Sequence, residues 1–202
     1  GNEKITSERI ESLSNISLNV NTFKYSKLNI IKNIKEEPYV DNVKVKRILP
    51  DEIKIEITER KPKYVILYND SYIYINEMGY ILEISNENME LPSITGISTS
   101  SDSLIPGDRL EQADLENMTV LLKINDALNN NGIESKITNY DVSNKNDYMI
   151  EIKDEEKIVH FGNVINLNDK VLMLKEILVK EKNNQGEVFL QDLNKVFFRQ
   201  NV

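Results

Sequence analysis

The sequence predicts an α+β protein in two parts joined without a flexible linker. Apolar residues recur at helical spacing up to Pro38, and apolar residues alternate with charged or polar ones over Val43 to Lys46 and Ile53 to Thr58, with a turn between. Beyond Pro62, short strands with tight turns are interrupted by two long helical stretches, a mixture of periods that signals segregated helices and sheets. The charge divides at the same place. Residues 1–62 hold 12 basic and 10 acidic residues, a net of +2, whereas residues 63–202 hold 13 and 23, a net of −10.

The elements follow in order. Thr6 is an N-cap, with Ile5 and Ile10 spaced as a hydrophobic staple and Glu8 near the positive end of the first helix dipole,. Leu28, Ile31 and Ile34 recur at helical spacing, and Pro38 disfavours α geometry in the residue before it, which predicts a second helix over Lys27 to Glu37,. Val43 and Val45, a turn at Leu49-Pro50-Asp51-Glu52, and Ile53, Ile55 and Ile57 make a hairpin with one apolar face for the two helices to cover,. A two-stranded hairpin alone is marginal, so a third strand is expected to complete that sheet.

After Pro62, strands are expected at Tyr64 to Tyr68, Tyr72 to Ile75 and Tyr80 to Ile84, with turns at Asn69-Asp70 and near Gly79. A less regular stretch covers Leu91 to Asp108. A helix from about Leu115 to Asn130 ends at Asn131-Gly132,. Strands at Lys136 to Val142 and Tyr148 to Lys153 flank the polar turn Ser143 to Asp147, and Ile158 to Phe161 follows a turn at Asp154-Glu155-Glu156. A last helix over Asn168 to Lys182 leads through Gln185-Gly186 to a final strand, Glu187 to Leu190. The expected domains are 1–62, 63–186, and a C-terminal strand and tail at 187–202.

Composition excludes several kinds of chemistry. With 33 acidic against 25 basic residues the summed field repels a phosphate backbone,. There is no cysteine, hence no disulfide, thiolate nucleophile or zinc–thiolate site. No run approaches the ~20 apolar residues of a membrane-spanning helix, and Gly1 reads as a cut site within a longer protein. His160, the single histidine, reads as a strand spacer or surface residue. Asp141 to Asn146 fails as a calcium loop, with Lys145 at a ligand position and Asn146 where the turn needs glycine,. Asp102, Asp108, Glu111 and Asp114 read as a solvated loop, the nine tyrosines as β-formers, and Asn15-Ile16-Ser17 and Asn117-Met118-Thr119 as glycosylation patterns in helical context. No catalytic residue, metal site or cofactor is expected. The last strand with its aromatics, Val188, Phe189, Leu190, Phe197, Phe198 and Arg199, reads in two ways: Phe189, Phe197 and Phe198 are ordinary core, or the strand is an edge that accepts an extended partner anchored by the aromatics.

The run Val45-Lys46-Arg47-Ile48-Leu49-Pro50-Asp51-Glu52-Ile53-Lys54-Ile55-Glu56-Ile57-Thr58-Glu59-Arg60-Lys61-Pro62 resembles the second half of a POTRA domain of the FtsQ/DivIB bacterial cell-division family, whose hairpin runs into Glu-Arg-x-Pro. Gly1-Asn2, Gly79, Leu91-Pro92-Ser93-Ile94-Thr95-Gly96, Gly162 with Lys170, Asp192-Leu193 and Phe197-Phe198-Arg199 resemble further family motifs along the chain. There are two departures: the first POTRA strand would lie before Gly1, and Asn194 stands where an arginine often follows Asp-Leu. The resemblance implies a non-enzymatic divisome scaffold, the outer-face region of a single-pass membrane protein concentrated at the septum. Its implied partners are FtsL and DivIC/FtsB-type coiled-coil proteins and, through them, the septal peptidoglycan synthase. Glu59, Arg60 and Pro62 are then a rigid interdomain junction, with an ion pair as the expected lock. The alternative from another class is a wall-binding or wall-hydrolysing module.

Overall fold

A computed structural model describes residues 3–133, 136–153 and 156–201. Gly1-Asn2 and the Asp154-Glu155 half of the expected turn lie outside the described residues. The chain is α+β, as the sequence predicts, with four α-helices and two sheets among those residues.

Helix α1 (Ser7–Ser14) is capped by the Thr6 hydroxyl, which accepts from the Arg9 amide, and ends with Asn15 in the left-handed region. Helix α2 (Lys27–Ile34), capped by Ser26, stops short of the expected Glu37. Tight i to i+3 bonds at Glu36 and Glu37 and a bond from the Val40 amide to Glu37 turn the chain there, so that Tyr39 and Val40 enter the core. Strands β1 (Val40–Ile48) and β2 (Glu52–Glu59) pair antiparallel with Val43 opposite Ile57 and Val45 opposite Ile55. Ile5, Ile30, Ile34, Val40, Val43 and Ile57 fill the space between helices and hairpin. Among the described residues this first sheet is the β1–β2 pair alone.

The second sheet has nine strands. They are β3 (Tyr64–Tyr68), β4 (Ser71–Ile75), β5 (Ile81–Ser85), β6 (Ser93–Thr95), β7 (Ile137–Asp141), β8 (Tyr148–Ile152), β9 (Lys157–Gly162), β10 (Gly186–Phe189) and β11 (Phe197–Gln200). Their spatial order is β11-β10-β9-β8-β7-β6-β3-β4-β5. It is a mixed sheet: β3 with β6, β6 with β7 and β9 with β10 are parallel, and the remaining pairs are antiparallel. Helices α3 (Gln112–Asn130) and α4 (Leu167–Lys180) touch each other. Their apolar stripes, including Leu121, Ile124 and Leu128 on α3 and Val171 and Leu174 on α4, share one core with inward strand residues such as Ile150, Val159 and Phe161. Residues of the same strands with the opposite parity, Ile158 and His160 among them, look away from that core, as a period of two requires.

Two strands were not expected. β6 is three residues long inside the irregular stretch, and β11 forms from residues read as a tail. Helix α3 begins at Gln112, earlier than its apolar periodicity suggests, because Glu111 and Asp114 favour the start of a helix,. Asp114 also has a second task. Fully buried, its carboxylate accepts the backbone and hydroxyl donors of Ser98 (3.0 and 2.9 Å) and of Thr99 (2.7 and 2.6 Å). One carboxylate therefore fixes the irregular segment against α3.

Burial alone pushes the Asp114 carboxyl up, but the donors from Thr99 and Ser98 outweigh it and hold the group below its ordinary value,. Its contribution is therefore present above the ordinary aspartate range and is lost as pH falls through the folded value. Asp114→Asn is expected to cost about 2–3 kcal/mol at neutral pH. In denaturant titrations the gap to the wild type should narrow below about pH 4.

Candidate functional site

Two places in the fold carry side chains with more than a packing role: the seam between the sheets and the free end of the second sheet. At the seam, the Glu59 carboxylate accepts the backbone amides of Glu3 (3.0 Å), Lys4 (2.8 Å) and Ile5 (2.9 Å). Burial raises the Glu59 carboxyl, but the three amides more than offset it and leave the group below the usual glutamate value,. Glu59 thus ties the approach to α1 onto the end of β2.

Arg60 points elsewhere. Its amide donates to Tyr39 O at 2.7 Å and its Nη1 to Pro38 O at 2.7 Å. Its guanidinium lies 3.8 Å from the centre of the Tyr80 ring, and Arg109 lies 5.0 Å from that ring. The expected lock was an ion pair; the nearest carboxylate is Asp41, 3.9 Å away and more than half exposed, a weak pairing. A stacked cation on Tyr80, at the entrance to β5, makes the contact across the seam instead. Pro62 sits in the short extended link to Tyr64, where its fixed φ limits swivelling,.

Strand β5 completes the seam. Ile81 belongs to the large core, and Leu82, its neighbour, is buried in the core of the first domain. Because adjacent strand side chains face opposite ways, one strand closes two cores. The outer side of β5 near Ile81 is also covered: the Ile81 amide donates to Asp108 O, and Gly107 donates to Ile81 O, at 2.9 and 2.8 Å.

Among the described residues, the other end of the sheet is open. β11 is the terminal strand, paired on one side with β10. The expected partner residues separate into two groups. Val188 and Leu190 are fully buried in the main core, so their side chains face inward, and β10 is flanked on both sides, which leaves β11 as the edge strand. Phe198 packs against the core from β11. Phe189, Phe197 and Arg199 lie on the outer face, where His160 stacks on Phe189 at 4.5 Å and Phe189 on Phe197 at 4.7 Å. This ladder follows the register, His160 beside Phe189 and Phe189 opposite Phe197.

Charged groups frame the ladder. His160 Nδ1 is 2.7 Å from Asp147 Oδ2 and its Nε2 is 3.4 Å from Glu187 Oε2, while Arg199 pairs with Glu187 across β10 and β11. A neutral imidazole can donate to one of those carboxylates and an imidazolium to both. Asp147 also accepts the Gly162 amide at 3.0 Å. Buried Lys170 donates to Phe161 O at 2.7 Å and Asn163 O at 2.8 Å. Desolvation lowers its ammonium below the usual lysine value, against a smaller upward pull from Asp147. The turn before β8, the end of β9 and the start of α4 are so joined beneath the ladder. Asp141, Glu151, His160 and Glu187 border a shallow groove on this face. No group of three or more histidine, aspartate or glutamate side chains among the described residues could hold a metal ion.

Sequence reading did not find Tyr80, Leu82, Asp147, Glu187 or Gly186. Gly186 carries a readable signal, a glycine at a strand start. A Cβ there would come 2.2 Å from Arg199 O and 2.8 Å from the Phe198 ring, so only glycine lets β11 lie this close.

The fold is α+β, a helix–helix–hairpin unit packed through Leu82 of β5 against a larger mixed sheet. Residues 1–60 match the family model described as POTRA domain, FtsQ-type. The chain is similar to the cell division protein DivIB of Clostridium tetani, at 29% identity over 92% of this chain and 69% of that one. It resembles DivIB of Clostridium acetobutylicum at 32% over 71% and 57%, and that of Clostridium botulinum at 28% over 74% and 59%. The chain is a relative of the FtsQ/DivIB cell division proteins, and it spans about three fifths of the length of the DivIB protein of C. botulinum.

Gly186→Ala is expected to lift β11 while sparing the core: amide exchange at residues 197–200 should accelerate by at least tenfold, with protection in β8 and β9 unchanged. Equal protection of β11 in the variant would mean that the close approach at Gly186 does not hold the strand.

Proposed function

We propose that the chain is the outer-face part of a single-pass membrane protein and acts as a non-enzymatic scaffold of the bacterial division machinery. Its open β11 edge takes up an extended segment of a coiled-coil division protein of the FtsL or DivIC/FtsB type. The observation that carries this reading is the asymmetry of the large sheet, covered at β5 near Ile81 and, among the described residues, unpaired on the outer side of β11. An unpaired strand offers a row of backbone donors and acceptors to an added strand. Phe197, about half exposed, and Arg199 then supply side-chain contact at the edge, with Phe189 supporting Phe197 from beneath. The names of the relatives support the division role. Association of the partners with the septal peptidoglycan synthase completes the proposal, and so does a boundary between two domains at about Pro62. No helix among the described residues is long and apolar enough to cross a membrane.

Phe197 is a cleaner probe than Phe189, which is sandwiched between two rings. Phe197→Lys should reduce capture of the coiled-coil partners from membranes by at least tenfold, while the melting temperature moves by less than about 3 °C. Undiminished capture by the variant would remove β11 from the contact. The acidic groove offers a direct check against the wall-hydrolase alternative: turnover of purified wall fragments, abolished by Glu187→Gln, would replace the scaffold reading.

A further inference from the structure

The first domain ends, at the tip of its hairpin, in a cluster of exposed apolar side chains that neither the core nor the seam uses. β1 and β2 place Tyr39 and Arg60 at the seam and Leu49 at the opposite end. The loop after α1 lies at that same far end. Arg47 Nη2 donates to Thr22 O at 2.8 Å and Tyr25 O at 2.9 Å, and its guanidinium stacks 4.6 Å from the Phe23 ring. The Ser17 amide donates to the Tyr25 hydroxyl at 2.9 Å. Leu18, Phe23, Leu28 and Leu49 are 90%, 65%, 77% and 68% exposed. They project outward, and Leu18 also borders a hollow with Tyr25, Asp51 and Glu52.

The charge around them is equally distinctive. Residues 12–35 contain no aspartate or glutamate in a chain that has 33, and they carry Lys24 and Lys27 before and at the start of α2, with Lys32 and Lys35 at the end of α2 that leads to the seam. Residues 42–50 are also free of acids and carry Lys44, Lys46 and Arg47. Opposing charges stand close by: Glu56 pairs with Lys46 at 3.6 Å and with Lys54 at 2.9 Å, and Glu11, Asp51 and Glu52 border the hollow beside Leu18. The acidic excess lies in the second domain, and beyond a Debye length of about 8 Å its repulsion is screened at physiological salt.

We propose that this tip rests on an anionic lipid surface. The four apolar side chains enter the boundary between headgroups and acyl chains, and the surrounding lysines meet lipid phosphates. Protruding aliphatic and aromatic groups beside bases suit a fluid anionic interface, which moulds itself to isolated side chains. A folded partner would instead need a matching concavity for each. The inference stands independently of the division role.

The test is co-sedimentation of the chain with vesicles of phosphatidylcholine, with and without phosphatidylglycerol. Binding is expected to the phosphatidylglycerol vesicles, to weaken severalfold between 50 and 200 mM salt, and to drop about tenfold for each of Leu18→Glu and Leu28→Glu. Leu28→Glu places an acid in the first turn of α2, where a helix tolerates it, so thermal melts should confirm folding. Leu67→Glu, at an exposed site on β3, should bind like the wild type. Absence of binding, equal binding to pure phosphatidylcholine, or full retention by both tip variants would overturn the proposal. Tighter binding of the tip to polyglutamate than to the vesicles would overturn it in favour of an acidic protein partner.

Discussion

Strand β5 faces two ways, and the arrangement of the whole molecule rests on that. Ile81 and Leu82 are adjacent, so the pleat sends them to opposite sides, one into the core of the nine-stranded sheet and one into the core beneath the hairpin,. Fully burying a leucine is worth roughly 1.5–3 kcal/mol, and a desolvated cation on an aromatic face about 2 kcal/mol. Leu82 and the Arg60–Tyr80 stack therefore give the seam stability that the exposed Lys4–Glu83 pair, at 3.2 Å, does not. A linker between Glu59 and Tyr64 would only loosen what this strand holds. The four residues present are a short extended link, ending in the bond from the Lys63 amide to Ile75 O at 2.9 Å.

The shared strand has a consequence for the edges of the sheet. Because β5 is occupied by the first domain and by the Gly107–Asp108 segment, the free backbone of the large sheet is displaced to β11, at the far end. There the outer face carries His160, Phe189 and Phe197 in register, braced by Asp147 and Glu187. The inner face of the same strands contributes Val188 and Leu190 to the core. One short segment thus divides its side chains between stability and exposure. The lipid-facing tip and the open edge are held at separate ends of one body.

Much of this architecture is legible in the sequence, and the failures are physical in kind. Thr6 and the alternation of Ile53, Ile55 and Ile57 are local signals, and the elements they predict are present. β6 escaped because three residues cannot show a period. β11 escaped because its strand character comes from pairing with β10 and from the bare backbone at Gly186. Val188 and Phe197 are both apolar in a short C-terminal stretch, and their sequence does not tell which is core and which is surface. The sequence does not show the partners of Glu59 and Arg60. Glu59 finds its donors at residues 3–5, and Arg60 finds Tyr80, partners set by the tertiary fold and not by spacing along the chain.

Leu82 beneath the hairpin and Arg60 on Tyr80 should hold the hairpin unit and the large sheet in one fixed arrangement. Because the chain has no cysteine, spin labels can be placed at Asp51→Cys on the hairpin tip and Gln200→Cys on β11, and the distance between them measured by double electron–electron resonance. One narrow distance distribution is expected, broadened when Leu82→Ala and Arg60→Ala are added together. A broad distribution in the parent, or a narrow one that survives both substitutions, would contradict it.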